Sequence, residues 1–378
     1  MAAPRTRFKG IVDHYSRLIR SGKLAPGDLL PSEPRLAKRH GVSRTTLRRA
    51  LAELVRTGLI VKKPGHGTFV ASATELEKRS QHSIAVLASG VRMISQDRPG
   101  GFFENTSVAQ ELYFLEGVTT ALAAHGRSAR MYYFHGLDQD WDETKQSIKD
   151  DGNIGVIVIS NEVREVVDDV VSLGLPTVLI DSAATKIRTD TVHSANYEGM
   201  KEATLHLLRN VPGPVAFVGS VNRTSLQHTE RCRGFTDACR ECACEIPDDH
   251  VIFTYVHQQC GPEVAEKLLS LSPFPTGIVC ADDRVAIGVM LALQKKQVLV
   301  PDDASIIGFG GMLFCLMQVP TMSTVAPDRV TMGKEATRLL EKRLQLPRRK
   351  PRTLHVPTTL ILRGSVAQHV DDLPDEAV

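Results

Sequence analysis

Aromatic residues are scarce in this chain of 378 residues, at 5%, with a single tryptophan. No apolar run is long enough to span a bilayer: GVIVIS at 155–160 falls far short of the required ~20 residues. The N-terminal MAAPRTRFKG has positive charge but no apolar stretch, so no secretory leader is expected. A cytoplasmic protein without a membrane partner is the expectation, and the Asn-x-Ser/Thr matches at Asn105 and Asn222 then carry no meaning. Cysteine is sparse and odd in number, seven residues, which argues against a disulfide framework in such a compartment. Cys239, Cys242 and Cys244 include one C-x-x-C, but neither Cys232 nor Cys260 supplies the second pair a zinc site needs. Free thiols and no metal are expected. P-loop, G-x-S-x-G, H-E-x-x-H and G-x-G-x-x-G motifs are all missing, and His193, His206, His228 and His257 follow no ligand spacing. No cofactor is therefore expected, and an enzyme is disfavoured.

What is present is a folded composition, 42% hydrophobic and 24% charged, with an uneven distribution of charge. Residues 1–70 hold 15 Lys and Arg against 4 Asp and Glu, a net of +11, whereas the remainder carries −8. A basic head on an acidic body is the footprint of a polyanion-binding module joined to something else.

In the head, Phe8, Ile11, Val12, Tyr15, Leu18 and Ile19 follow the period of an amphipathic helix, which Gly22 and Pro26-Gly27 stop. Ser32 caps a short second helix through His40, Gly41 supplies the turn, and Ser43 caps a third helix to about Thr57. On that third helix Leu47, Ala50, Leu51 and Leu54 share one face, opposite Arg44, Thr45, Arg48 and Arg49. LIVK, the turn PGHG and TFV then read as a hairpin. A capped helix with Arg and Thr in its first exposed turn has the chemistry to read base edges and phosphates in a major groove.

The run LAPGDLLPSEPRLAKRHGVSRTTLRRALAELVRTGLIVKKPGHGTFV resembles the winged helix-turn-helix of GntR-type bacterial transcription regulators. That resemblance implies DNA contact by Arg35, Ser43, Arg44, Thr45, Thr46, Arg48 and His66. Two departures stand out. Pro34 replaces the usual Arg directly after PSE, which moves the basic residue to Arg35, and His66 replaces a basic residue at the wing tip.

Residues 71–82 are polar and read as a linker between the head, 1–70, and a body, 83–365, which an acidic tail, 366–378, follows. Short apolar runs at 84–88, 130–134, 156–159, 177–180, 215–219, 277–281 and 305–309 alternate with amphipathic segments. This pattern predicts an α/β fold with doubly wound parallel sheets, and about 285 residues are too many for one such sheet. Two lobes with a ligand cleft at the strands' carboxyl ends follow. Asp181, Arg231, Asp282 and Asp283 sit just after strand candidates, although each also reads as a helix cap or surface charge.

The segments VAFVG…RCRGFTDACRE, GIVCADDRVAIGVMLALQKKQVLVPDDASIIGFGG, VPTMSTV and LILRGS are similar to the effector domain of LacI-type repressors, which is periplasmic-binding-protein-like. The resemblance implies effector contacts at Asp181, Asn196, Arg231 and Asp283. Departures include His193-Ser194-Ala195-Asn196 after DTV, GFGG at 308–311, and an insertion at 91–108 able to occlude the cleft. The combined reading is a repressor acting as a homodimer on a palindromic double-stranded DNA operator, with a sugar or related polyol as effector. Two alternatives stay open: a body that binds a protein partner in place of a small molecule, and a sugar-modifying enzyme with a DNA-binding head.

Overall fold

The computed structural model describes residues 4–56, 59–63, 66–71, 83–89, 106–134, 139–160, 163–183, 185–222 and 225–367. Two compact units emerge: Met1–Ser83 with Asp150–Ile154, and Ile84–Lys149 with Gly155–Val378. Most of the linker, most of the 91–108 insertion and nearly all of the acidic tail lie outside the described residues, as does the Pro64-Gly65 turn.

In the first unit, helices α1 (Pro4–Arg20), α2 (Glu33–His40) and α3 (Arg44–Arg56) precede strands β1 (Ile60–Lys63) and β2 (Gly67–Val70). Gly41 ends α2 in the left-handed conformation, φ 60°, and its N–H bonds back to the helix, so the chain reverses in three residues. Ser43 Oγ accepts the Thr46 N–H at 3.1 Å, the N-cap its position predicts. The apolar faces of the three helices converge: Ile11, Tyr15, Leu36, Leu47, Leu51 and Leu54 form the centre of a small core. The strands pair antiparallel, with Ile60 opposite Val70 and Lys63 opposite Gly67.

The second unit is α/β with two six-stranded sheets. In the first, the order is β13–β7–β6–β5–β3–β4, from β3 (Ser83–Ser89), β4 (Ser128–Phe134), β5 (Gly155–Ile159), β6 (Thr177–Ile180), β7 (Asp190–Ser194) and β13 (Thr353–Val356). The second runs β14–β12–β11–β10–β8–β9, from β8 (Val215–Ser220), β9 (Val251–Thr254), β10 (Gly277–Cys280), β11 (Ser305–Phe309), β12 (Ser323–Pro327) and β14 (Thr358–Ile361). Of the described pairings within the two sheets, β12 with β14 alone is antiparallel; the rest are parallel. Strands buried on both faces explain why these segments read as continuous apolar runs, not alternating ones. The chain passes between lobes after β7, after β12 and again between β13 and β14.

Helices α4 (Thr106–Ala124), α5 (Gln139–Asp150), α6 (Arg164–Ser172) and α11 (Arg329–Gln345) serve the first lobe. Helices α7 (Asn196–Asn210), α8 (Leu226–Glu241), α9 (Gly261–Leu269) and α10 (Asp283–Lys295) serve the second. All seven sequence-predicted body strands are present, and helices separate them as the amphipathic segments predict. The strands β7, β9, β12, β13 and β14 were not among the expectations: they are short and mix polar residues with β-branched ones, DTVHS and STVAP for example. Helices α4 and α11 touch through paired glycines. A Cβ on Gly117 would lie 2.1 Å from the Val330 carbonyl oxygen, and one on Gly333 would lie 2.4 Å from that of Phe114. This close approach fixes the start of α11 against the middle of α4. Among the described residues no helix is long and apolar enough to cross a membrane.

Candidate functional site

Two surfaces are candidates, one on each unit. On the head, burial splits α3 as its period requires: Leu47, Ala50, Leu51 and Leu54 are fully buried, while Arg44, Thr45, Arg48 and Arg49 are exposed. The Ser43 and Thr46 hydroxyls bond each other at 2.9 Å and hold the helix start in shape. Arg35 is exposed on α2, and His66 is exposed in the turn before β2, its N–H bonded to the Lys63 carbonyl. Glu33 ties the surface together. One carboxylate oxygen accepts from Arg48 Nε at 2.9 Å and the other from Lys62 Nζ at 2.7 Å, so α2, α3 and the first wing strand share one acid. Those two hydrogen bonds hold the Glu33 carboxyl below its ordinary range. Arg48 is therefore already oriented by a protein partner, whereas the structure records no such pairing for Arg44.

On the body, a cleft of about 650 Å³ opens between the lobes, a volume suited to a small molecule. Its wall is built from strand carboxyl ends: Ser160 after β5, Asp181 after β6, Ser220 and Val221 at the end of β8, Asp282 after β10, Gly310 after β11. Ser160 and Asp181 both adopt positive φ, 46° and 41°, unusual for residues with side chains. Such strain persists where surrounding bonds over-determine it, and it concentrates at functional sites. Here the bonds are visible. The Asp181 carboxylate accepts the Ser194 N–H at 3.0 Å and its hydroxyl at 2.7 Å, and the Asp181 carbonyl accepts Gln227 Nε2 at 2.7 Å. Burial pushes the Asp181 carboxyl up, but His193, whose Nδ1 is 3.5 Å from Oδ1, and Ser194 together hold it below the usual range.

Arg231 crosses the cleft floor. Its Nε donates to Asn196 Oδ1 at 2.8 Å, its Nη1 donates to the Ala281 carbonyl at 2.7 Å, and its guanidinium stacks 3.8 Å from the Phe309 ring centre. Asn196 is itself oriented by the Ser194 carbonyl and does not line the cleft. Asp282 does line it. This residue caps α10 and accepts a two-pronged hydrogen bond from Arg284, at 2.9 and 3.0 Å.

Asp283 lies behind the wall. It is fully buried, with Oδ2 accepting the Met312 N–H at 2.8 Å and Oδ1 accepting the Thr324 hydroxyl at 2.6 Å. Burial raises its carboxyl to about 6. The GFGG segment makes room for it: a Cβ on Gly308 would sit 2.3 Å from Asp283 Oδ1. Of the four expected effector residues, Asp181 and Arg231 face the cleft, while Asn196 and Asp283 support it from behind.

The sequence reading also passed over wall residues. Glu111 and Phe114 come from α4, His228 from α8 and Arg329 from the first residue of α11. Glu111 is 6% exposed and makes no hydrogen bond to a described residue; burial raises its carboxyl to about 7. His228 is pulled down to about 4, first by burial and then by Arg231, so its ring is neutral at physiological pH. The Cys239 thiol, in the body core, is pushed up to about 12 by burial, which makes it a poor thiolate donor.

Residues 8–70 match the model of bacterial regulatory proteins of the gntR family, and residues 205–366 match that of a periplasmic binding protein-like domain. The chain is 24% identical over 352 residues to an arabinose metabolism transcriptional repressor of Halalkalibacterium halodurans, covering 89% of this chain and 88% of that one. It is 28% identical over 214 residues to the HTH-type transcriptional repressor PurR of Mannheimia succiniciproducens, covering 56% of this chain and 64% of the relative. Among solved structures, a transcriptional regulator CelR–cellobiose complex superposes with a TM-score of 0.65 at 18% identity, covering 89% of this chain and all of that one. Residues 8–70 are thus similar to the gntR-family DNA-binding head and residues 205–366 to a periplasmic binding protein-like domain, and along most of its length the chain is similar to a transcriptional repressor that is not an enzyme.

Proposed function

We propose that this chain is a cytoplasmic, ligand-responsive transcriptional repressor, and that it acts as a homodimer on a palindromic operator with a sugar or related polyol in the interlobe cleft. The observation that carries the reading is the cleft itself. A small-molecule volume is walled at strand carboxyl ends by side chains already held in place by Ser194, Asn196, Gln227 and Arg284. Phe114 supplies an aromatic ring at the wall, and Arg231 with Asp181 supplies donors and acceptors for hydroxyls. The names of two similar proteins, one an arabinose metabolism repressor and one bound to cellobiose, favour the same ligand class.

The homodimer draws support from an apolar group on the second lobe. Leu313, Leu316, Met317 and Val319 are 66%, 53%, 70% and 85% exposed, an arrangement that a two-fold partner would cover. Two heads on one axis then read two half-sites. In this reading Arg44, Thr45 and Arg48 reach the major groove, Ser43 and Thr46 shape the helix start, and Arg35 and His66 lie against the backbone.

Two measurements test it. Thermal unfolding of the full chain against sugars, polyols, sugar acids and nucleobases should give selective stabilisation of a few degrees by one class; a folded sample that responds to none favours the protein-partner alternative. Arg44→Ala should weaken specific operator binding by about 1–3 kcal/mol, roughly 5- to 150-fold, in a gel-shift or anisotropy titration. Unchanged affinity removes Arg44 from the base-reading set.

A further inference from the structure

The cleft wall contains a partly buried cation that no described residue hydrogen-bonds. Arg329 lines the cleft from the start of α11, 5.8 Å from the Phe114 ring centre, and forms no hydrogen bond or ion pair with a described residue. Burial pulls its guanidinium below the usual value, and the groups that pull it back are Asp181, Asp283, Asp282 and Tyr113. None of the three carboxylates hydrogen-bonds it. Asp181 is held by the Ser194 N–H and hydroxyl, Asp282 by the Arg284 fork, and Asp283 by Met312 and Thr324. Glu111, the wall carboxyl that no described residue bonds, is not among the groups that act on Arg329. The guanidinium's hydrogen-bond donors therefore face the cleft unused by any described residue, and a neutral sugar offers them dipoles but no charge.

We propose that the natural ligand of this cleft is a polyol bearing an anionic group, a carboxylate or a phosphate, and that Arg329 is the counter-ion for that group. The inference rests on the cleft being the effector site. The guanidinium fork suits either oxyanion, which it engages through two parallel hydrogen bonds. Its place at the first residue of α11 adds the positive end of that helix's dipole. Arg231, stacked and bonded on the floor, is left to orient the hydroxyls.

Calorimetric titration of the full chain with matched pairs tests this: gluconate against glucitol, galacturonate against galactose, ribose 5-phosphate against ribose. At least one anionic member should bind ten-fold or more tightly than its neutral partner, and the pairs separate carboxylate from phosphate. Arg329→Gln should remove that preference, weakening the anionic member ten-fold or more and its neutral partner by less. Neutral members binding best, in wild type and variant alike, overturns the inference but leaves a small-molecule effector site standing. Binding by no member of any pair overturns both. A ligand-independent arm guards against misfolding: without ligand, Arg329→Gln should leave the unfolding temperature within about 2 °C, because a partly exposed charge bonded to no described residue is removed. A larger fall would mean that Arg329 is a structural cation balancing the three carboxylates, and would also overturn the proposal.

Discussion

Replacing Asp283 with alanine is expected to destabilise the body by about 2–4 kcal/mol, because the change strands a buried N–H and a buried hydroxyl. The stranded groups are the Met312 N–H and the Thr324 Oγ–H, both within 2.8 Å of the carboxylate. Asp283→Asn keeps an acceptor for Met312 and a polar group opposite Thr324, so it should cost no more than about 1 kcal/mol. Urea unfolding at neutral pH measures both. A variant that folds with full stability and loses ligand binding alone would return Asp283 to the cleft wall.

Glu111→Gln is expected to stabilise the protein, and to do so in alkaline but not acidic buffer. The folded chain keeps the Glu111 proton up to about pH 7, whereas an unfolded glutamate releases it near its ordinary value of about 4.3. The folded state therefore binds more protons between those values, and stability falls as pH rises through the window. At pH 8 the native side chain is a charge held in a buried wall, and the amide removes it. Allowing for screening through the cleft mouth, the gain is roughly 2 kcal/mol at pH 8 and close to zero at pH 4. Unfolding midpoints of both proteins at the two pH values check this; equal shifts at both would place the effect in packing.

These two residues also mark what was and was not legible in the sequence. The head was readable almost to the residue, because its punctuation is local: Gly41 for a left-handed turn, Ser43 for a cap, and a 3.6-residue stripe from Leu47 to Leu54. Of the seven body strands found in advance, β5, β6, β8, β10 and β11 are buried on both faces, whereas β4 is legible from its apolar run although only Tyr132 in it is buried. Strands such as β7 and β12 escaped because polar residues in them serve the interior: Ser194 holds Asp181, and Thr324 holds Asp283.

The cleft was legible in part. Position after a strand pointed to Asp181, Arg231 and the Asp282–Asp283 pair, but sequence adjacency cannot say which of two neighbouring carboxylates turns inward. The structure decides it through GFGG, whose first glycine leaves space for the Asp283 carboxylate and so puts Asp282 on the wall. Asn196, expected at the effector, lies behind the cleft lining and accepts from Arg231, which lines it. Arg329 and Glu111 had no signal at all. Both reach the cleft through the close crossing of α4 and α11, which depends on Gly117 and Gly333 more than 200 residues apart.

The central claim is that one ligand in the cleft changes the affinity of the head for DNA. Its most direct test is operator affinity of the full chain, titrated with and without a saturating amount of the compound that stabilises it best. A ligand with a ~100-fold preference for one body conformation supplies about 2.7 kcal/mol, so operator affinity should change by up to that factor. By linkage, saturating operator should change ligand affinity by the same factor and in the same direction. Tight binding of the ligand with operator affinity unaltered would contradict the account.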